Sequence, residues 1–299
     1  MFQIFSGKFF RSPRTYDTVH SGIYYTNYRL PEEASIETQI GRLRQSAGVM
    51  GIGTLAYELT EKIEWQETQS GVMTSTGGYE LKEEFADVIS FALNIICTTD
   101  QDLCRWLILP KAGAFDALSA STKFLPRVFN AVVAAEPGDA EKVASLTRQL
   151  IGLPRKTYET AIKAIRQYVA ALQSVGSDAT LAYSLLITSV ESLSQAANVP
   201  DATWDDFDQK KRTPIDDALE EAPPGLAEAI RNAILESEHV AIARRFREFI
   251  KSHIAHEFYR AEAATAVQAI NRQDLDHLLR DAYAIRCGVG SRSKSLLWG

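Results

Sequence analysis

Apolar and polar residues alternate near the start of the chain and recur at three- and four-residue steps further along, and this change of period organises the sequence. Phe2 to Phe10 alternates and ends at Ser12-Pro13. Gly22 to Tyr28 is rich in β-formers and stops at Pro31, and Gly51 to Trp65 again carries aromatic and β-branched residues. These three stretches predict strands. Gly71 and Gly77-Gly78 then read as turns, after which Leu81, Phe85, Val88, Ile89, Ala92, Leu93 and Ile96 share one face of a helix that starts near Glu80. A further strand is expected over Cys104 to Leu109, closed by Pro110.

Beyond Pro126 and Pro137-Gly138 the helical period dominates, so a domain boundary is placed near residue 137. Tyr158, Ala161, Ile162, Ile165, Tyr168, Val169 and Leu172 form one apolar stripe, with Pro154 just ahead of the helix start and Gly176 behind its end. Asp178 stands where it can cap a second helix, Leu181 to Ala197, which is apolar nearly all round and is expected at the centre of a bundle. A polar excursion from Asn198 to Gly225 holds the charge cluster Asp205 to Arg212 and reads as a solvated loop. Helices are expected again from Leu226 to Leu235, from Val240 to about Phe258 and from Leu275 to about Cys287. The predicted class is α+β: a strand-rich recognition domain over residues 1–136, followed by an all-α domain over 137–299.

Composition narrows the classes. With 299 residues, 45% hydrophobic and 23% charged, the chain has the make-up of a globular protein able to bury one large core or two ordinary ones. Its most apolar run, Val88 to Cys97, is interrupted by Ser90 and Asn94 and falls short of a bilayer span, so no membrane crossing is expected. The opening MFQIFSGKFFRSPRTYD lacks the pattern of a secretory leader, which together with the absence of a span predicts a cytoplasmic protein. Three cysteines, Cys97, Cys104 and Cys287, show no repeated short spacing, so neither a disulfide framework nor a zinc knuckle is indicated. The net charge of -6 means that contact with nucleic acid would have to be confined to a local basic site.

Several residues carry candidate chemistry. The glycines of GVMGIG, Gly48 to Gly53, invite a nucleotide-loop reading, but they lack the Lys-Ser/Thr ending and precede a strand, so a turn is the expectation. His253 and His256, with Glu257 beside them, could approach one metal ion, yet no third ligand is indicated and packing or solvent exposure is expected instead. Arg247 and His253 match an Arg-x5-His spacing but fall on nearly opposite sides of a helix. Glu191 interrupts the apolar run LAYSLLITSVESL, and a carboxylate there needs a partner. Arg286 follows Leu275, Leu279 and Ala282 at 4-3-4 spacing, which puts its guanidinium on the packed stripe, where it must find a partner or line an interface; it would also complement the negative end of the helix dipole.

The helical pair Arg166 to Gln195, the polar excursion after it and the late segment LLRDAYAIRCGVGSRS, Leu278 to Ser293, resemble the HEPN superfamily, and more narrowly the ApeA-type branch of bacterial abortive-infection proteins, in which a strand-rich domain precedes the helical one. The resemblance covers roughly residues 137–299. It implies a helical bundle that forms a homodimer, bringing together two Arg-x4-6-His motifs for cleavage of RNA without metal or cofactor. The arginine would stabilise the phosphoryl transition state and the histidine would transfer protons during attack by the ribose 2′-hydroxyl. It further implies Arg286 as the motif arginine, Tyr283 as the aromatic before it, Arg292 and Lys294 as further RNA contacts, and a protein or phage-derived trigger recognised by the N-terminal domain.

The motif is incomplete. Where the family carries histidine, Ser291 to Ser293 read Ser-Arg-Ser, and a serine hydroxyl cannot replace imidazole as a general acid or base near neutral pH. Gly288 and Gly290 each weaken the helix there by about 1 kcal/mol relative to alanine. A degenerate domain, an inactivated variant and a truncated chain all account for this. Two functional classes follow: an RNA-directed defence effector with a degenerate ribonuclease motif, and a non-catalytic binding or scaffold subunit of a defence complex.

Overall fold

The computed structural model describes residues 1–65, 78–108, 127–195, 203–207, 209–237, 240–261 and 269–286. They form an α+β protein whose strand-rich N-terminal part precedes a helical C-terminal part. Two compact units divide between Leu186 and Ile187.

In the first unit β1 (Thr15–Thr26), β3 (Ser35–Thr38), β4 (Gly41–Val49), β5 (Ile52–Glu64) and β6 (Cys97–Thr98) make an antiparallel sheet in the order β3-β4-β5-β1-β6. The short β2 (Tyr28–Arg29) pairs in parallel with β7 (Val133–Ala134). Alternation decides the faces. Tyr24 of β1 lies opposite Leu55 of β5 and both are buried, whereas Val19 and Ile23, odd-numbered positions on the other face, are exposed, as on an antiparallel sheet covered on one side. The covering layer is α2 (Tyr79–Leu93), α4 (Asp139–Gly152) and α5 (Arg155–Ser174), with α1 (Phe2–Phe5) at its margin and α3 (Gln101–Ile108) beside β6.

The main core joins α1, the sheet, α2, α4 and α5, and a smaller cluster gathers Cys104, Leu107 and Ile108 of α3 with Ile52, Ile96 and Leu172. Phe2, Tyr24, Leu55, Phe85 and Ile89 pack with Val143 and Leu150 of α4 and with Tyr158, Ile162, Ile165 and Val169 of α5. The boundary expected near 137 therefore cuts through packed side chains. Pro137-Gly138 is a turn, with Gly138 at φ +92°, that launches α4. The stripe on α5 is real, but it packs on α2 and α4 and so joins the core of the first unit.

Two expected strands are helices. Phe2 to Phe10 has no neighbour to pair with. Phe2 and Phe5, three apart, are instead buried on a single turn, and the Gln3 amide donates to the carbonyls of Ile151 and Leu153 at the end of α4. Cys104 to Leu109 was expected to extend; residues 101–108 form α3 because the Asp100 carboxylate caps the amides of Asp102 and Leu103, and Cys104, Leu107 and Ile108 then fall on one buried face. The GVMGIG glycines make the expected turn. Met50 at φ +49° and Gly51 at φ +83° are the two-residue connection between β4 and β5, as a type I′ hairpin requires, and a Cβ on Gly53 would strike the Arg29 guanidinium.

α6 (Ala179–Ser194) begins in the first unit and ends in the second, and the Asp178 carboxylate caps it through the Leu181 amide at 2.9 Å. The second unit continues with a 3₁₀ turn (Trp204–Asp206), α7 (Gln209–Ala218), α8 (Pro224–Ser237), α9 (Val240–His253), a second 3₁₀ turn (His256–Tyr259) and α10 (Leu275–Arg286). Within the charge cluster, residues 205–207 and 209–212 are structured, and Asp206 closes a capping box with Thr203 and also binds arginines of α9. Among the described residues no helix is long and apolar enough to cross a membrane.

Candidate functional site

The last turn of α10 brings together two residues that the sequence marks separately as needing partners. Leu275 and Tyr283 are buried, and Arg286, one turn past Ala282, lies on the same stripe and forms an ion pair with Glu191 of α6. The guanidinium carbon is 6.0 Å from the centroid of the Tyr283 ring, which in turn packs 5.5 Å from Phe246 of α9. Side-chain exposure is 27% for Arg286 and 20% for Glu191, so both side chains reach solvent in part, while the Oε2 of Glu191 that pairs with Arg286 is itself buried. One turn beyond Glu191 and just past the end of α6, Gln195 accepts a long hydrogen bond, 3.5 Å, from Arg245 of α9.

A second, more enclosed set of charges gathers around Asp276 at the opposite end of α10. Arg247 is buried and faces Asp206 at 3.5 Å and Asp276 at 3.7 Å; burial lowers its pKa, and the nearby Arg280 lowers it further. Arg244 reaches Asp206 at 2.6 Å, and Lys251 and Arg280 hold Asp276 at 3.0 and 2.9 Å. Burial pushes Asp206 and Asp276 up, yet the Thr203 bonds and arginine charges around the first, and Lys251 with the arginines around the second, hold both carboxyls below the usual range. These ion pairs fasten the 3₁₀ turn, α9 and α10 to one another.

The histidines do not assemble a metal centre. His253 ends α9, where its ring lies 4.2 Å from that of Phe249 and its Nδ1 contacts the Phe249 carbonyl at 2.8 Å, while His256 opens the next 3₁₀ turn. No group of three or more His, Cys, Asp and Glu able to hold a metal ion occurs among the described residues. Arg247 is buried where His253 is exposed, so their spacing does not make a motif. Ser291, Arg292 and Lys294 lie outside the described residues.

The first unit has polar centres that the sequence reading missed. Glu84, at a buried position of α2, accepts from the Tyr158 hydroxyl, from the Met1 ammonium at 2.6 Å and from Arg166 at 3.2 Å, at the floor of a cleft of about 600 Å³. Asp87, one turn on, is 3.7 Å from Arg166, and burial raises its pKa to about 6. Asp139, 1% exposed, accepts from Arg127 at 2.8 Å, Tyr28 at 3.1 Å, Lys142 at 3.1 Å and the Glu136 amide at 3.0 Å. Glu84 had the same signal as Glu191, a carboxylate on an apolar stripe; Asp139 had none, because its burial depends on Tyr28 and Arg127 from distant elements. No model of a known protein family, no curated protein and no solved structure matches the chain.

Proposed function

We propose that the chain is a HEPN-like, RNA-directed defence effector of the cytoplasm whose helical unit contacts RNA phosphate through Arg286, and that with Ser291 in the motif it binds RNA but cleaves it slowly or not at all. The observation that supports this is the position of Arg286 itself. It stands at the end of α10, backed by Tyr283, partly open to solvent and already engaged with a carboxylate, which offers a guanidinium the same pair of oxygens as a phosphate does. A homodimer would place two such arginines together, and the strand-rich unit would recognise the trigger.

The same ion pair also favours the second reading, a non-catalytic binding or scaffold subunit, since Arg286 has a partner within its own chain. Incubation of the full chain with mixed RNA in EDTA separates the two. RNA binding that falls about tenfold in Arg286→Ala supports the effector reading. Binding that Arg286→Ala leaves unchanged favours the scaffold, and vigorous EDTA-resistant cleavage that survives it places the active site elsewhere. Light scattering at tens of micromolar tests the dimer, which a monomer would refute.

A further inference from the structure

The two arginine sites of the second unit differ in a way that bears on ligand access. Arg247 is 7% exposed and lies between two carboxylates, an arrangement fit for fastening helices. Among the described residues Arg286 has one carboxylate, from Glu191, and both side chains are partly exposed. A guanidinium has five N–H donors and a carboxylate engages one edge of the fork. A phosphate arriving from solvent would seek that edge, and it would meet the Glu191 charge there.

From this geometry we infer that Glu191 occupies the anion site of Arg286 in the free protein and competes with RNA phosphate for it, so that binding requires the carboxylate to be displaced. The inference rests on the reading of Arg286 as a phosphate contact. Three features favour exchange over a permanent lock. The paired Oε2 of Glu191 is buried, but a fifth of the side chain is exposed, so a rotamer change can carry the carboxylate into water. The Tyr283 ring lies against the guanidinium, so Arg286 keeps a packing contact when its ion partner changes. Arg245 reaches the α6 face through Gln195, one helical turn or about 5.4 Å along from Glu191, and supplies a second cation beside the vacated position. The internal pair lowers RNA affinity in two ways: it fills the site, and it leaves a negative charge next to any phosphate that enters.

The test is the anisotropy of a fluorescein-labelled oligouridine titrated with the full chain, its Glu191→Gln and Arg286→Gln variants and the double variant, each first shown by circular dichroism to melt cooperatively. Glu191→Gln keeps the shape and removes the charge. It is expected to tighten binding about threefold to tenfold, the range that a partly exposed ion pair of up to about 1 kcal/mol and the lost repulsion allow. Arg286→Gln should weaken binding, and the double variant should bind no better than Arg286→Gln alone. Weaker or unchanged binding by Glu191→Gln, with Arg286→Gln impaired, would overturn the competition while leaving Arg286 as a phosphate contact. A gain that persists without Arg286 would overturn it too, by tracing the effect to net charge. Unchanged binding by Arg286→Gln would instead remove the phosphate reading beneath it. Should Glu191→Gln not fold, Glu191→Asp, whose shorter side chain draws the carboxylate back from the guanidinium, is expected to give a smaller gain, and no gain counts against the competition.

Discussion

The two units solve the problem of buried charge in opposite ways. In the first, a broad apolar core from the sheet and three helices surrounds isolated carboxylates, and each is saturated: Asp139 takes four donors and Glu84 has the Tyr158 hydroxyl, the Met1 ammonium and Arg166 around it. In the second, the described buried apolar residues are few, Phe207, Phe246, Leu275 and Tyr283 among them, and the helices are joined by arginines shared between acids. Dense packing tolerates a buried charge only when its hydrogen bonds are complete. A thin core leaves charges half in water, where they can exchange partners. That contrast makes Arg286, in the second unit, the better candidate for a ligand site.

The comparison can be broken most severely at Asp139. Its replacement by alanine leaves the Arg127 guanidinium, partly buried, without its main partner, and a loss of about 3–5 kcal/mol in urea unfolding is expected. A loss under about 1 kcal/mol would show that saturation is not what the first unit depends on. At the corresponding position of the second unit, Asp206→Ala removes one ion partner from both Arg244 and Arg247, and Arg247 keeps Asp276. Because Asp206 is partly exposed, a smaller cost of about 1–3 kcal/mol is predicted. Hydrogen exchange should show it as lost protection in α9 and α10, with α2 and α5 unaffected.

Acid sharpens the contrast through the sign of the shifts. Asp206 and Asp276 are held below their ordinary pKa, so their contribution is present above about pH 4 and is lost as pH falls further. Asp87 is raised to about 6, so its contribution is full below about pH 4 and is lost as pH rises through 6. Exchange protection in α2 and α5 should accordingly rise between pH 7 and 5 with the second unit unchanged, while protection in α9 and α10 should fall between pH 5 and 3. The smallest effect is local to the first unit. Met50 holds a left-handed conformation in the hairpin, and Met50→Asn is expected to raise the unfolding free energy measured in urea by about 0.5–1 kcal/mol without altering RNA binding.

The chain's own pattern determined the change from two-residue to helical period, the helices α2, α5, α6 and α10, the turn at Met50-Gly51, and the need of both Glu191 and Arg286 for a partner, because each of these follows from local spacing and from the cost of burying a charge. Only the tertiary structure decided that those two residues satisfy one another. It also decided that Phe2 to Phe5 coil where they were expected to extend, that Asp100 starts a helix at a predicted strand, that Asp139 is buried, and that α4 and α5 share the core of the sheet so that the units part at Leu186 rather than near 137. Periodicity records that a face is covered; what covers it is set by elements far away in the chain, whose approach depends on the packing of the whole unit.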